Sequence, residues 1–151
     1  MQTIFRDFIK TDKSVYIQMS NIFYGSDAVD HVVPQKCFEC TFDRCCTKND
    51  SYVRGLIIEY GGEVAGYALL SFTYSNEVGG MVLLVEEAYI NPDFRGKGII
   101  SKFFAFLESE YSGKIKRYRL EVTENNRHAI EIYEHFGYKK LEYVQMIRDV
   151  E

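Results

Sequence analysis

Two adjacent glutamates, Glu86 and Glu87, precede the run Asn91-Pro92-Asp93-Phe94-Arg95-Gly96-Lys97-Gly98-Ile99-Ile100-Ser101. Asn-Pro-Asp seeds a turn, and the two glycines let the backbone fold tightly before a helix begins. A helix start reached through such a loop points several unpaired backbone N–H groups, and the positive end of the helix dipole, at one spot. Residues 95–101 are therefore a candidate cradle for phosphate or pyrophosphate. The run is not G-x-G-x-x-G, because position 101 is serine, and it is not a P-loop, because no Gly-Lys-Ser/Thr follows a strand. A loop of this composition is usually only a turn. Its place between an apolar strand and an amphipathic helix is what points to an anion. A carboxylate at the end of the preceding strand is a candidate acid or base, so the pair reads as an enzyme using a phosphorylated cofactor.

The elements that must hold these groups follow from periodicity. Residues 3–9 alternate as a first strand. Thr11 can cap a helix running to Tyr24, with Val15, Met19, Ile22 and Phe23 on one face. A loop over 26–33 leads to a second helix from residue 35 to about 48, with Phe38, Phe42 and Cys45 on one face. Strands over 55–60, 64–74 and 81–90 are joined by the Gly61-Gly62 hairpin turn and by Ser75-Asn76-Glu77. A helix over 98–111, a strand over 117–122 and a helix over 126–136 stopped by Gly137 come next, and 138–146 supplies one or two last strands. The order is that of one α/β domain, residues 1–151.

Composition narrows the function classes. A net charge of −4 argues against an extended nucleic-acid surface, which shows a basic excess. No apolar run approaches the roughly 18 residues of a membrane span, and the first residues do not read as a signal peptide, so a cytoplasmic location is expected. Cys37, Cys40, Cys45 and Cys46 fall within ten positions. Zinc frameworks separate their ligand pairs by more than this, so reduced thiols on a helix are expected and no metal.

The text Arg95-Gly96-Lys97-Gly98-Ile99-Ile100, followed some thirty residues on by Asn126-Arg127-His128-Ala129-Ile130-Glu131-Ile132-Tyr133-Glu134-His135-Phe136-Gly137-Tyr138, resembles the GNAT superfamily of acyl-CoA-dependent N-acyltransferases. That family carries Arg/Gln-x-x-Gly-x-Gly/Ala after its fourth strand and Asn-x-x-Ala-x-x-x-Tyr-x-x-x-Gly-Phe-like text near its end. The element order matches as well. The resemblance implies a single-domain α/β GNAT-like fold: a central mixed, mostly antiparallel sheet of about six to seven strands, flanked by about four helices. It also implies acetyl-CoA, leaving as coenzyme A, as acyl donor. Ile100 departs from the pattern, since it stands where the family prefers a small residue that lets the helix end approach the pyrophosphate.

The resemblance further implies roles. Pyrophosphate would sit on the backbone of Arg95, Gly96, Lys97, Gly98, Ile99, Ile100 and Ser101, with Arg95, Lys97 and Lys102 as sources of charge. Glu86 lies nine residues before Arg95, where spermidine/spermine-type acetyltransferases place their base. Glu87 is the alternative base, on the opposite strand face unless a bulge re-aims it. Backbone N–H groups around Ala88, Tyr89 and Ile90 would serve the oxyanion, Asn126 the pantetheine arm, and Tyr133 would protonate the departing thiolate. Where some relatives place basic residues after the tyrosine, this chain has His135 and Phe136.

The acceptor is a small primary amine, with Tyr24 as an aromatic wall, Asp27 and Asp30 as anchors for a second ammonium, and residues around Tyr143 at its border. A peptide or protein amine competes, as does a non-catalytic acyl-CoA sensor, which the presence of both Glu86 and Tyr133 disfavours. No nucleic acid, membrane or metal partner is expected, and a homodimer is compatible with the chain.

Overall fold

The computed structural model describes residues 1–26, 29, 31–47 and 50–150. Strand β1 (Thr3–Asp7) leads through a short 3-10 turn into α1 (Lys13–Tyr24), and α2 (Gln35–Cys45) follows. Strands β2 (Val53–Tyr60), β3 (Glu63–Ser75) and β4 (Gly80–Ile90) form a meander. Helix α3 (Ile99–Glu110), β5 (Arg117–Leu120) and α4 (Arg127–His135) complete the regular structure. The sheet order is β1-β2-β3-β4-β5. The first three pairings are antiparallel, whereas β4 and β5 run parallel, as a pair joined by the α3 crossover can.

Alternation along the central strands splits the core into two layers. Leu56, Ile58, Ala68 and Leu70 face α3, meeting Ile99, Phe103 and Leu107. Ile57, Tyr67 and Leu69 face α1 and α2, meeting Tyr16, Met19, Phe38 and Phe42. The inner face of α1 therefore runs through Tyr16 and Met19, and Ile22, expected inside, is 49% exposed. Helix α4 rests on the α3 layer by surrounding Phe104 with Tyr133, Phe136 and Tyr138, at ring centroid distances of 6.0, 4.9 and 5.5 Å.

The mostly antiparallel mixed sheet and the four helices agree with expectation, but the sheet has five strands among the described residues, not six to seven. The missing strands are those assigned to 138–146. Leu141 and Tyr143 occupy one parity there, while Val144 and Met146 occupy the other. An extended strand with that phase break has no single apolar face to bury.

Gly66 is where β3 passes closest to β4. A Cβ there would lie 2.0 Å from the Tyr89 carbonyl oxygen, a backbone atom held in the ladder. Gly66→Ala should therefore cost about 1–3 kcal/mol of stability, the usual penalty for overpacking. A urea midpoint lowered with unchanged slope is the expected result.

Candidate active site

The register of β4 against β3 slips once. Leu69 pairs with Glu87 and Leu70 with Val85, so Glu86 is a surplus residue on β4, a β-bulge. Core assignments confirm the phase change: Leu83 and Val85 face the α3 layer before it, Ala88 and Ile90 after it. The expected opposition of the two glutamates is thereby removed. Glu87 lies on the α1/α2 face with its ladder partner Leu69, and Glu86 accepts a 2.8 Å hydrogen bond from Ser71 Oγ, two residues along β3 on that same face. Both carboxylates therefore project to one side.

Their surroundings differ. Glu86 is exposed, whereas Glu87 is buried. Tyr24 Oη donates to Glu87 Oε1 and Tyr67 Oη to Oε2, each at 2.5 Å. Burial pushes the Glu87 carboxyl above the usual 4.5 and the charge of Glu86 adds to this, while the two phenols oppose it by stabilising the anion. Tyr24 also stacks on Phe38 of α2 at 5.1 Å, so the carboxylate ties α1, α2, β3 and β4 together. Sequence reading missed Tyr67, because a tyrosine inside an apolar strand reads as core. Another phenol on this face, Tyr89 Oη, is buried with no hydrogen-bond partner among the described residues.

Beyond the pairing of Val85 with Leu120 the two parallel strands part. The backbone of 86–90 then has a ladder neighbour only on β3. A cleft of about 70 Å³ opens in the gap. It passes through the sheet, with Phe23 and Glu87 on the α1 side and Ile100, Phe104 and Tyr133 on the α3/α4 side. Its volume holds a few water molecules or an acetyl-sized group. Glu86, Ala88 and Asn126 also line it, so it collects members of the predicted catalytic and donor-binding groups, whereas Tyr24 of the predicted acceptor group does not line it. Asp27 and Asp30 lie outside the described residues. Tyr143 is elsewhere: its Oη donates to Glu77 Oε1 at 3.1 Å, in the β3–β4 turn at the far end of the strand.

At the α3 end, Gly96 and Gly98 both have φ of 73°, a left-handed conformation that glycine adopts without strain. Gly98 caps α3, and the first bond within the helix is Lys102 N–H to the Gly98 carbonyl at 3.2 Å. The N–H groups of Ile99, Ile100 and Ser101 accordingly have no acceptor inside the helix. Arg95 Nε donates to the Ile90 carbonyl at 3.0 Å, which pins this loop to the end of β4. Lys97 and Lys102 reach back to the sheet edge instead, Lys97 Nζ lying 5.8 Å from the Tyr60 ring centre and Lys102 Nζ donating to Thr3 Oγ1 at 3.3 Å. Ile100 is half-buried and forms part of the cleft wall.

Asn126 caps α4 through Oδ1, which accepts from Ala129 N–H at 3.3 Å, and its amide NH₂ is the group left for a ligand. Tyr133 is half-buried, and desolvation raises its pKa above 10, so the phenol keeps its proton at neutral pH. A larger cavity, about 630 Å³, opens at the other end of the sheet beside Arg54 and Cys45. Most of its charged groups are already paired, Arg54 with Asp7 and Glu110 and Asp50 with Arg44, and Lys114 also stands in its wall. Burial pushes the Cys45 thiol up to about 12, which keeps it protonated. No cluster of three or more metal-ligating side chains occurs among the described residues.

Parting parallel strands, a bulged β4 and a glycine-capped α3 start thus meet at one cleft. Residues 17–138 match the Acetyltransferase (GNAT) family. This chain belongs to that family. Thialysine N-epsilon-acetyltransferase of Sus scrofa is 33% identical over 82 residues, covering 54% of this chain and 48% of that protein. Spermine/spermidine N(1)-acetyltransferase of Bacillus subtilis (strain 168) is 27% identical over 96 residues, covering 61% and 63%. The chain thus spans about half the length of the first of these relatives and under two thirds of the second. The solved structure of AAC(6')-Iy in complex with a bisubstrate analog superposes with a TM-score of 0.77 over 99% of both chains, at 15% identity, a likeness of fold.

Glu87 offers a pH test of the site. A carboxyl that holds its proton more tightly folded than unfolded makes the protein lose stability as pH rises from the ordinary value through the folded pKa. Glu87→Gln cannot titrate, so its melting temperature minus that of the wild type should grow as pH rises from the ordinary carboxyl value of 4.5 through the raised folded one. Parallel curves would mean that Glu87 does not titrate in this way.

Proposed function

We propose that this chain transfers the acetyl group of acetyl-CoA to the primary amine of a small molecule, by direct attack of the amine on the thioester. The observation that carries the reading is the cleft through the sheet, with carboxylates on one face, a protonated phenol on the other and an unsatisfied helix start beside it. The names of the family's relatives, which act on thialysine and on spermine or spermidine, support a small flexible amine as acceptor. The pyrophosphate of the donor lies on the N–H groups of Ile99, Ile100 and Ser101, and the pantetheine arm runs past the Asn126 amide into the gap between β4 and β5.

The amine enters from the α1/α2 face. An ammonium cannot attack, and Glu86 removes its proton, directly or through water. Glu86 suits this better than Glu87, since one of its oxygens has no hydrogen-bond partner among the described residues, whereas each Glu87 oxygen holds a phenol. Glu87 and Tyr24 form the anionic and aromatic wall against which the amine is held. Nitrogen then adds to the thioester carbonyl, and the oxyanion is met by backbone N–H on the unpaired edge of 88–90. Collapse breaks the C–S bond, the electron pair goes to sulfur and Tyr133 delivers a proton to the leaving thiolate, while the nitrogen gives up its second proton to water, from which the phenol is reprotonated.

Gly98→Asp strains a left-handed position and sets a negative charge at the helix start, so CoA affinity should fall by at least tenfold in calorimetry on the folded variant. Unchanged affinity sinks the placement of the donor.

The acid and the base separate by pH. Tyr133→Phe should lower turnover by roughly 10²–10⁴ at every pH, with CoA still bound. Glu86→Gln should lose most where the amine is protonated and recover partly as pH rises. If Glu86→Gln keeps the wild-type pH–rate profile, Glu86 is not the base.

A further inference from the structure

Four cysteines lie in α2 or cap it, and their surroundings sort them into two pairs. Cys45 and Cys46 are half-buried, and burial is the main cause that raises both thiols. They are also adjacent in sequence, and helix neighbours one apart do not face each other. Cys37 and Cys40, in the first two turns, are exposed and three positions apart, so their side chains share a face. Lys13 of α1 stands beside that face. Its Nζ donates to Asp43 Oδ1 at 2.8 Å, and after Asp43 the acidic groups Glu39 and Cys40 add to the field that holds its proton. A positive charge is therefore within electrostatic reach of the Cys40 sulfur, where it assists attack by the thiolate. Phe38 lies between the two cysteines in sequence but points inward. It is 4% exposed, and its ring stacks at 5.1 Å on Tyr24, whose phenol donates to Glu87. The turn with two thiols on its outer side thus carries, on its inner side, the ring behind the Tyr24–Glu87 contact.

We propose that Cys37 and Cys40 form a dithiol modification site, which hydrogen peroxide oxidises to an intrahelical disulfide that disturbs the Phe38–Tyr24–Glu87 contact. For its effect on the amine, the inference rests on the acceptor face assigned above. One thiolate attacks a peroxide oxygen, the O–O bond breaks, and a sulfenic acid and water form. The second thiol attacks the sulfenic sulfur, the S–O bond breaks, the S–S bond forms and a second water leaves. Two thiols lose two electrons and two protons, and one hydrogen peroxide becomes two water molecules. Geometry sets the consequence. Residues three apart in an α-helix have Cα atoms about 5 Å apart, inside the roughly 4.4–6.8 Å that a disulfide spans. Their Cβ atoms are about 5–6 Å apart, against roughly 3.5–4.5 Å in a disulfide. Closing the bond therefore draws the outer side of this turn together by about 1–2 Å and shifts Phe38 against Tyr24. Donor binding is untouched, because α3 and α4 pack on the other face of the sheet. A bond closed under such tension is readily reopened by a dithiol reductant, so the modification reverses.

Hydrogen peroxide at low molar excess should lower the intact mass by about 2 Da, the loss of two hydrogens. The digest should show a link between Cys37 and Cys40, with Cys45 and Cys46 still open to alkylation after unfolding. In the oxidised protein the amides of residues 20–24 and 35–42 should exchange about threefold faster or more, and dithiothreitol should restore the reduced rates. CoA affinity by calorimetry should not change, while the KM for an acetylated amine should rise. Cys37→Ser and Cys40→Ser alter exposed side chains, so both should fold and show neither the link nor the faster exchange. A link through Cys45 or Cys46, thiols at 37 and 40 that stay separately alkylatable, or an oxidised protein with unchanged exchange would each overturn the proposal. Faster exchange with an unchanged amine KM would support the modification site and overturn the acceptor face instead.

Discussion

Because Glu86 has no ladder partner on β3, β4 changes phase within one residue, and the arrangement of the site depends on that slip. Before it, Val85 still pairs with Leu120 and faces the α3 layer. After it, the strand has a neighbour on one side only, and two consecutive acidic side chains share a face that regular alternation would have split between opposite faces. The same slip places Glu87 against Tyr24 and Tyr67, where a regular strand would have turned it towards Phe104 and the α3 layer.

Glu87 then acts as a structural joint. Its oxygens receive phenols from α1 and β3, and Tyr24 carries the connection on to Phe38 in α2. A buried carboxylate without donors would cost several kcal/mol. With one phenol on each oxygen, that cost is offset by charge-assisted bonds that also fix where α1 ends. The end of α1 is thereby held by a hydrogen bond to β4.

Much of the frame was legible in the sequence. Gly61-Gly62 marked the hairpin, and both residues take positive φ; Gly137 marked the end of α4. The glycine run before α3 and the text from Asn126 to Tyr138 located the cleft's residues. Other features were hidden for physical reasons. A bulge leaves no mark where the residues around it read Val-Glu-Glu-Ala, since either glutamate can be the surplus one. Tyr67 is indistinguishable from a core tyrosine until its ladder neighbours are known. Asn126 matches a motif for its amide, yet also caps its own helix, and both duties use the same residue type. The phase break at Tyr143 and Val144 was present in the letters, but alternation over a short window concealed it.

The mixed parentage of the sheet has a kinetic consequence. Strands β2, β3 and β4 are joined by short turns, so their pairing closes small loops and can form early. The pairing of Val82 with Arg117 must wait for α3 to form and cross over. The cleft lies on the seam between this locally folded meander and the late-docking unit of α3, β5 and α4. Protection of amides from exchange should accordingly be deepest in β3 and fall towards β5, which makes the gap between β4 and β5 the place where the native protein breathes first.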